Sequence, residues 1–194
     1  MKDLNVMIVG VGGQGTLLAS RLLGCAVMLE GMDVKVSEVH GMSQRGGSVV
    51  TYVKAGKQIS SPIINKGEAD IILAFEQLEA ARWLPYLKRD GVLIVNTQQI
   101  DPMPVVTGVA EYPKGVLPAI QACGVNIVAM DALAAAMQAG SSKVTNVVLL
   151  GAMAQHTGIA YDIFETAVRQ TVPQKFVDMN LAALRLGYDA AKAC

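Results

Sequence analysis

The sequence predicts an α/β fold: a Rossmann-like, mostly parallel sheet with flanking helices and a helical C-terminal segment. Three observations predict it. The aliphatic runs LNVMIV (4–9), DIILAF (70–75) and GVLIVN (91–96) are short and read as strands buried on both faces. Helical periodicity separates successive runs, the alternation of a parallel sheet with right-handed crossovers. From Thr145 onward the pattern turns helical and stays so.

The elements follow in order. Leu4–Val9 is the first strand. From Gly13 to Gly31, apolar residues recur every three or four positions, as on a helix packed against a sheet, and Gly31 closes it. Val34–Val39 and Ser48–Val53 are strands, with a hairpin turn at 55–58. Asp70–Phe75 precedes a helix over Gln77–Lys88, with Trp83 and Leu87 inward and Pro85 kinking or splitting it. Gly91–Asn96 is a strand, and 101–112, with Pro102 and Pro104, is irregular. Val125–Met130 is a strand, and Asp131 caps the helix Ala132–Gln138. Helices then cover Val147–His156, Tyr161–Thr171 and Pro173–Lys192. Met7, Met28, Met32, Met130, Met137 and Met153 read as adaptable core filler.

The 194 residues make one domain over 1–194, an α/β core (1–140) with a helical part (141–194). Hydrophobic residues are 52%, which excludes a disordered chain. Lys+Arg and Asp+Glu are both 16, against a dedicated nucleic-acid or polybasic membrane binder. Charged residues are only 16%, pointing to a surface partly covered by a partner, a second copy included. Cys25, Cys123 and Cys194 are widely spaced, so they build neither an iron–sulfur cluster nor a zinc site. No apolar run reaches the roughly 20 residues of a membrane span. Met1-Lys2-Asp3-Leu4 leads straight into a strand with no signal-peptide pattern, so a cytoplasmic protein is expected.

Two motifs carry the chemistry. Gly10-Val11-Gly12-Gly13-Gln14-Gly15 satisfies G-x-G-x-x-G after a strand and before a helix. Glycines let backbone approach an anion, and the helix start supplies N–H donors; Thr16 adds a hydroxyl. Glu38 stands near the end of the second strand, where an acid gripping a ribose would sit. The other reading is that the glycines serve close strand–helix packing. No Walker A lysine follows Gly15.

The second motif is Glu38-Val39-His40-Gly41-Met42-Ser43-Gln44-Arg45-Gly46-Gly47-Ser48. It sets an acid, an imidazole, two hydroxyls, an amide and a guanidinium among three glycines. Arg45 suits a carboxylate or phosphate, and His40 can donate, accept or shuttle a proton. The segment lies at the carboxyl edge, where open α/β sheets bind ligands. Ligand site, subunit contact and internally satisfied loop all stay open. Glu76, Asn96-Thr97 and His156 are weaker candidates, with capping or packing as their alternatives.

Together the two motifs resemble the gamma subunit or domain of 2-oxoacid:ferredoxin oxidoreductases. Within that family the chain is most similar to the small beta subunit of the indolepyruvate type. The resemblance spans essentially the whole length and concentrates in residues 8–50. It implies oxidative decarboxylation of a 2-oxo acid, here an aryl pyruvate, with coenzyme A, giving acyl-CoA, CO2 and reduced ferredoxin. It also implies that thiamine diphosphate, Mg²⁺ and iron–sulfur clusters sit on a larger partner subunit, so this chain alone is inactive. Coenzyme A, or the contact with the thiamine-binding subunit, would fall to Gly10, Gly12, Gly13, Gln14, Gly15, Thr16, Glu38, His40, Gly41, Ser43, Gln44, Arg45, Gly46, Gly47 and Ser48. Two other classes compete: a stand-alone NAD(P)-dependent oxidoreductase, and a regulatory module that senses a nucleotide.

Overall fold

Among the described residues, six strands form one sheet in the order β2-β3-β1-β4-β5-β6. They are β1 (Leu4–Val11), β2 (Asp33–Glu38), β3 (Ser48–Gly56), β4 (Ala69–Ala74), β5 (Leu87–Asn96) and β6 (Asn126–Met130). The helices are α1 (Thr16–Leu29), α2 (Gln77–Trp83), α3 (Met103–Val106), α4 (Val116–Ala122), α5 (Ala132–Gln138), α6 (Thr145–Thr157), α7 (Tyr161–Thr171) and α8 (Val177–Lys192). The computed structural model describes residues 3–38 and 47–192.

The sheet is mixed but mostly parallel. β1, β4, β5 and β6 pair in parallel. β3 is antiparallel to both β1 and β2, so β2 runs with the majority. The carboxyl ends of five strands therefore share one edge with the start of β3.

Side chains alternate along each strand and divide the core. Val6, Ile8, Ile71 and Leu73 face α1, α6, α7 and α8, whereas Met7, Val9, Ile72 and Ala74 face α2 and α4. α6 is buried over Asn146–Ala154, between the sheet and α8. α6 thus folds onto this sheet, while α7 packs on α1 and α8 covers α6, so the helices after Thr145 fold back on this chain's own core, a point the sequence pattern left open.

Several expected boundaries move. The hairpin at 55–58 does not form. β3 continues to Gly56, and the next strand pairs with β1 and β5 instead. The reversal joins β2 to β3, through the second motif. Pro85 splits the helix expected over 77–88. α2 ends at Trp83, a 3-10 turn covers Leu84–Tyr86, and Leu87 opens β5 rather than facing inward from a helix. The segment after Asp101 contains the short α3. α4 has no counterpart in the sequence reading, because Pro118 interrupts a seven-residue pattern. A 3-10 turn at Gln174–Phe176 separates Pro173 from α8. Met7 and Met153 are fully buried filler, but Met28 and Met137 are 60% exposed.

Two end signals hold. Gly31 adopts φ +73 after α1, and Met32 N–H donates to the Val27 carbonyl at 3.3 Å. Asp131 caps α5 by accepting from Ala134 N–H at 2.9 Å. Among the described residues, no helix is long and apolar enough to cross a membrane.

Candidate functional site

The glycine loop leaves β1 at the carboxyl edge. β1 pairs through to Val11, opposite Ser48. Gly10 is still in the strand, and a Cβ there would lie 2.9 Å from Phe75 Cβ, so this glycine serves close packing. Gly13 and Gly15 adopt φ +101 and +84, in the left-handed region that favours glycine. Nothing lies within 4 Å of a Cβ on Gly13, which leaves its backbone open.

Gln14 holds the loop in shape. Its Oε1 accepts from Val11 N–H at 2.7 Å, and its Nε2 donates to the Phe75 carbonyl at 3.0 Å. Both ends of its amide are therefore spent on backbone. Gly12 N–H donates to the Gly47 carbonyl at 2.9 Å, which ties the two motifs together. Thr16 opens α1, whose Gly15 cap offers no side-chain acceptor. A cleft of about 270 Å³ lies here, lined by Gly12, Gly15 and Thr16 with Val49 and Thr51 of β3.

The end of the second motif is anchored from below. Ser48 Oγ donates to Glu79, which also accepts from Arg82 Nε at 3.0 Å and Trp83 Nε1 at 3.3 Å. Glu76 is 1% exposed and caps α2 by accepting from Glu79 N–H at 2.9 Å. It also accepts from the Tyr112 hydroxyl. Burial, then this hydrogen bond to the carboxylate, pushes the Tyr112 pKa up. Sequence reasoning missed Glu79 and Tyr112 as supports of the motif. The spacing Glu76, Glu79, Arg82 on one helix face was the available signal.

Glu38 stands elsewhere than a ribose-gripping acid requires. β3 lies between β1 and β2, so Glu38 is two strands from the glycine loop, roughly 10 Å at normal strand spacing. It accepts from Ser20 Oγ of α1 at 2.7 Å. This geometry disfavours the NAD(P)-dependent reading. His40, Gly41, Ser43, Gln44, Arg45 and Gly46 lie outside the described residues. Asn96 is structural: its Oδ1 accepts from Ala132 N–H at 3.1 Å, and its Nδ2 donates to the Phe75 carbonyl at 3.2 Å. Cys25 and Cys123 are free thiols, and among the described residues no group of three or more His, Cys, Asp or Glu can hold a metal ion.

His156 lies away from this edge, near the end of α6. Its Nε2 is buried with no hydrogen-bond partner, and burial lowers its pKa. The unfolded chain then binds more protons than the fold once pH drops below about 6.5. Stability should therefore fall as pH drops from 8 to below about 6.5, the ordinary histidine value. His156→Leu should remove that slope and leave the pH 8 melting temperature equal or higher, since the ring nitrogen has no bond to lose. Paired thermal melts at the two pH values check this, and an unchanged slope in the variant would refute it.

Compared with known proteins, the chain matches the family model "Pyruvate ferredoxin/flavodoxin oxidoreductase" over residues 5–190. The indolepyruvate oxidoreductase subunit IorB of Thermococcus kodakarensis is 43% identical over 199 residues, covering 99% of this chain and 98% of that protein. Among solved structures, the gamma subunit of a keto/oxoacid ferredoxin oxidoreductase from Geobacter sulfurreducens superposes with TM-score 0.74 at 28% identity. It covers 98% of this chain and 99% of its own. The pyruvate oxidoreductase subunit PORC of Thermotoga maritima gives 0.71 at 25%, covering 97% of each chain. Sequence and fold agree over essentially the full length: this chain belongs to the pyruvate ferredoxin/flavodoxin oxidoreductase family and is a subunit of a 2-oxoacid ferredoxin oxidoreductase.

Proposed function

We propose that this chain is the small, non-autonomous subunit of a cytoplasmic indolepyruvate-type enzyme. That enzyme decarboxylates an aryl pyruvate oxidatively with coenzyme A, releasing acyl-CoA and CO2 and reducing ferredoxin. Thiamine diphosphate, Mg²⁺ and iron–sulfur clusters belong to a larger partner subunit, and ferredoxin docks on the assembled complex. This chain contributes coenzyme A binding at its carboxyl edge. The observation that carries this is the Gly12–Gly47 hydrogen bond, which joins both glycine motifs at the edge where open α/β sheets take ligands. The full-length similarity to a protein named for indolepyruvate supports the substrate class.

A second contribution, contact with the thiamine-binding subunit, is favoured by a separate observation. Met103, Val106 and Val109 are 65–83% exposed in the segment after Asn96, and Met103 lines a cleft with Ser48. Apolar exposure of this kind suits a protein partner.

The test is anaerobic affinity purification from the native cells, with ferredoxin reduction assayed on several 2-oxo acids. The expected result is a larger partner carrying iron, sulfide and thiamine diphosphate, and faster turnover of indolepyruvate than of pyruvate or 2-oxoglutarate. The chain expressed by itself should be inactive. A homodimer without iron that binds NADH would overturn the reading.

A further inference from the structure

We infer that β2, the strand at one end of the sheet, pairs antiparallel with β2 of a second copy of this chain, about a two-fold axis through Val34. The segment Met32–Val36 is the seam of that dimer. The dimer and the coenzyme A reading above do not depend on each other.

β2 ends the strand order, and its one strand neighbour is β3. Its outer side presents main-chain N–H and C=O groups that a further strand can satisfy. Edges of this kind are usually blunted by charge. Here the charges cancel, since Lys35 Nζ lies 3.2 Å from Asp33 Oδ1, both side chains being partly exposed. The edge is also apolar. Val36 is 40% exposed, and Met28 and Leu29, at the end of α1, are 60% and 38% exposed. A cleft of about 420 Å³ opens between α1 and β2, lined by Cys25, Met28, Val34 and Val36 among others.

The order of the residues selects a second copy as the occupant. Met32-Asp33-Val34-Lys35-Val36 is its own antiparallel complement. With Val34 on the axis, Asp33 stands opposite the second copy's Lys35, and Lys35 opposite the second copy's Asp33. Met32 stands opposite the second copy's Val36, and the two Val34 residues face each other. Opposite charges and apolar pairs in facing positions stabilise a strand pair. The neighbouring registers lack this match. An axis through Lys35 sets the two lysines against each other, and one through Val36 sets Val34 against Glu38. Gly31, at φ +73, turns the chain out of the strand and ends the seam. An axis normal to the sheet keeps α1 of both copies on one face, and the exposed Met28 of each lines the cleft that also holds Val34. The contact is isologous, the commonest kind in homo-oligomers.

Sedimentation of the full chain at micromolar concentration should show a dimer. Lys35→Glu should raise its dissociation constant about tenfold or more, because two attractive cross-strand pairs become repulsive. Asp33→Lys should do the same. Mixed one to one, the two variants should form a heterodimer about as tight as the parent dimer, since each acid again faces a lysine. Asp33→Lys also loses the bond its carboxylate accepts from Ile59 N–H at 2.8 Å, so circular dichroism checks its fold, and a second test does without it. Val34→Cys in a Cys25→Ser background places two thiols beside the axis. Facing residues have Cα atoms roughly 4.5–5.5 Å apart, within disulfide reach. Mild oxidation of the chain, and of the assembled complex, should cross-link two copies at this position. The Cys25→Ser parent, and Val36→Cys in the same background, should stay single. A chain that is monomeric and gives no cross-link in the complex overturns the proposal. So does a dimer that Lys35→Glu leaves intact, folded variants that fail to associate when mixed, or cross-linking by Val36→Cys in place of Val34→Cys.

Discussion

Gly187→Ala is expected to destabilise this protein by about 3 kcal/mol or more, above the usual range for a single overpacked site. Gly151 and Gly187 lie where α6 and α8 cross. A Cβ on Gly187 would stand 1.8 Å from the Val148 carbonyl oxygen, and one on Gly151 would stand 2.1 Å from the Leu184 oxygen. Both obstacles are backbone, so no side-chain rotation relieves them, and the helices must move apart. At roughly 2–4 °C per kcal/mol for a chain of this size, the melting temperature should drop by about 6–12 °C. The double alanine variant should lose less than the sum, because the same separation relieves both clashes. Gly24→Ala is the control: it is helical and has nothing within 4 Å of the new Cβ, so it should gain up to about 1 kcal/mol. Thermal melts by circular dichroism decide it; an unshifted Gly187→Ala would mean that the two helices do not meet this closely.

The largest functional loss is expected from Gly15→Val. At φ +84 a β-branched residue is a genuine outlier, and the new Cβ would meet Asn146 Nδ2 at 2.7 Å. The variant must move either the loop or the start of α6, and it loses the Asn146–Gly15 bond. Displacement of about 1 Å can cost on the order of 100-fold in rate, so coenzyme A-dependent ferredoxin reduction by the complex should fall by about that factor. Gly67→Ala provides a matched control. It carries comparable backbone strain at φ +75 in a loop distant from the edge, and its activity should remain. Gly15→Val activity within twofold of the parent would remove the glycine loop from the site.

What the sequence made legible follows from the range of each interaction. β1, β4 and β5 are visible because a strand buried on both faces is apolar throughout, a local property. The reversal of β3 is not local. Ala55-Gly56 resembles a turn, yet the residues that hold β3 are its pairing partners in β1 and β2. The glycine loop and Ser48 were legible as motif residues. The supports were not, since Gln14 reaches Phe75 61 positions away and Asn146 reaches Gly15 across 131. Glu38 shows the converse error. Its place at the end of the second strand was legible, but the strand inserted beside it was not.

The burial of α6 between sheet and α8 has a consequence for synthesis. All six strands and α6 leave the ribosome before α8 does. During that interval the outer side of α6 has no cover. Glycine at 151 presents bare backbone there, and the neighbouring aliphatic side chains face water. A nascent chain halted before Val177 is therefore an exposed apolar surface awaiting either its own last helix or a chaperone, and its exposure lasts as long as translation takes to supply α8.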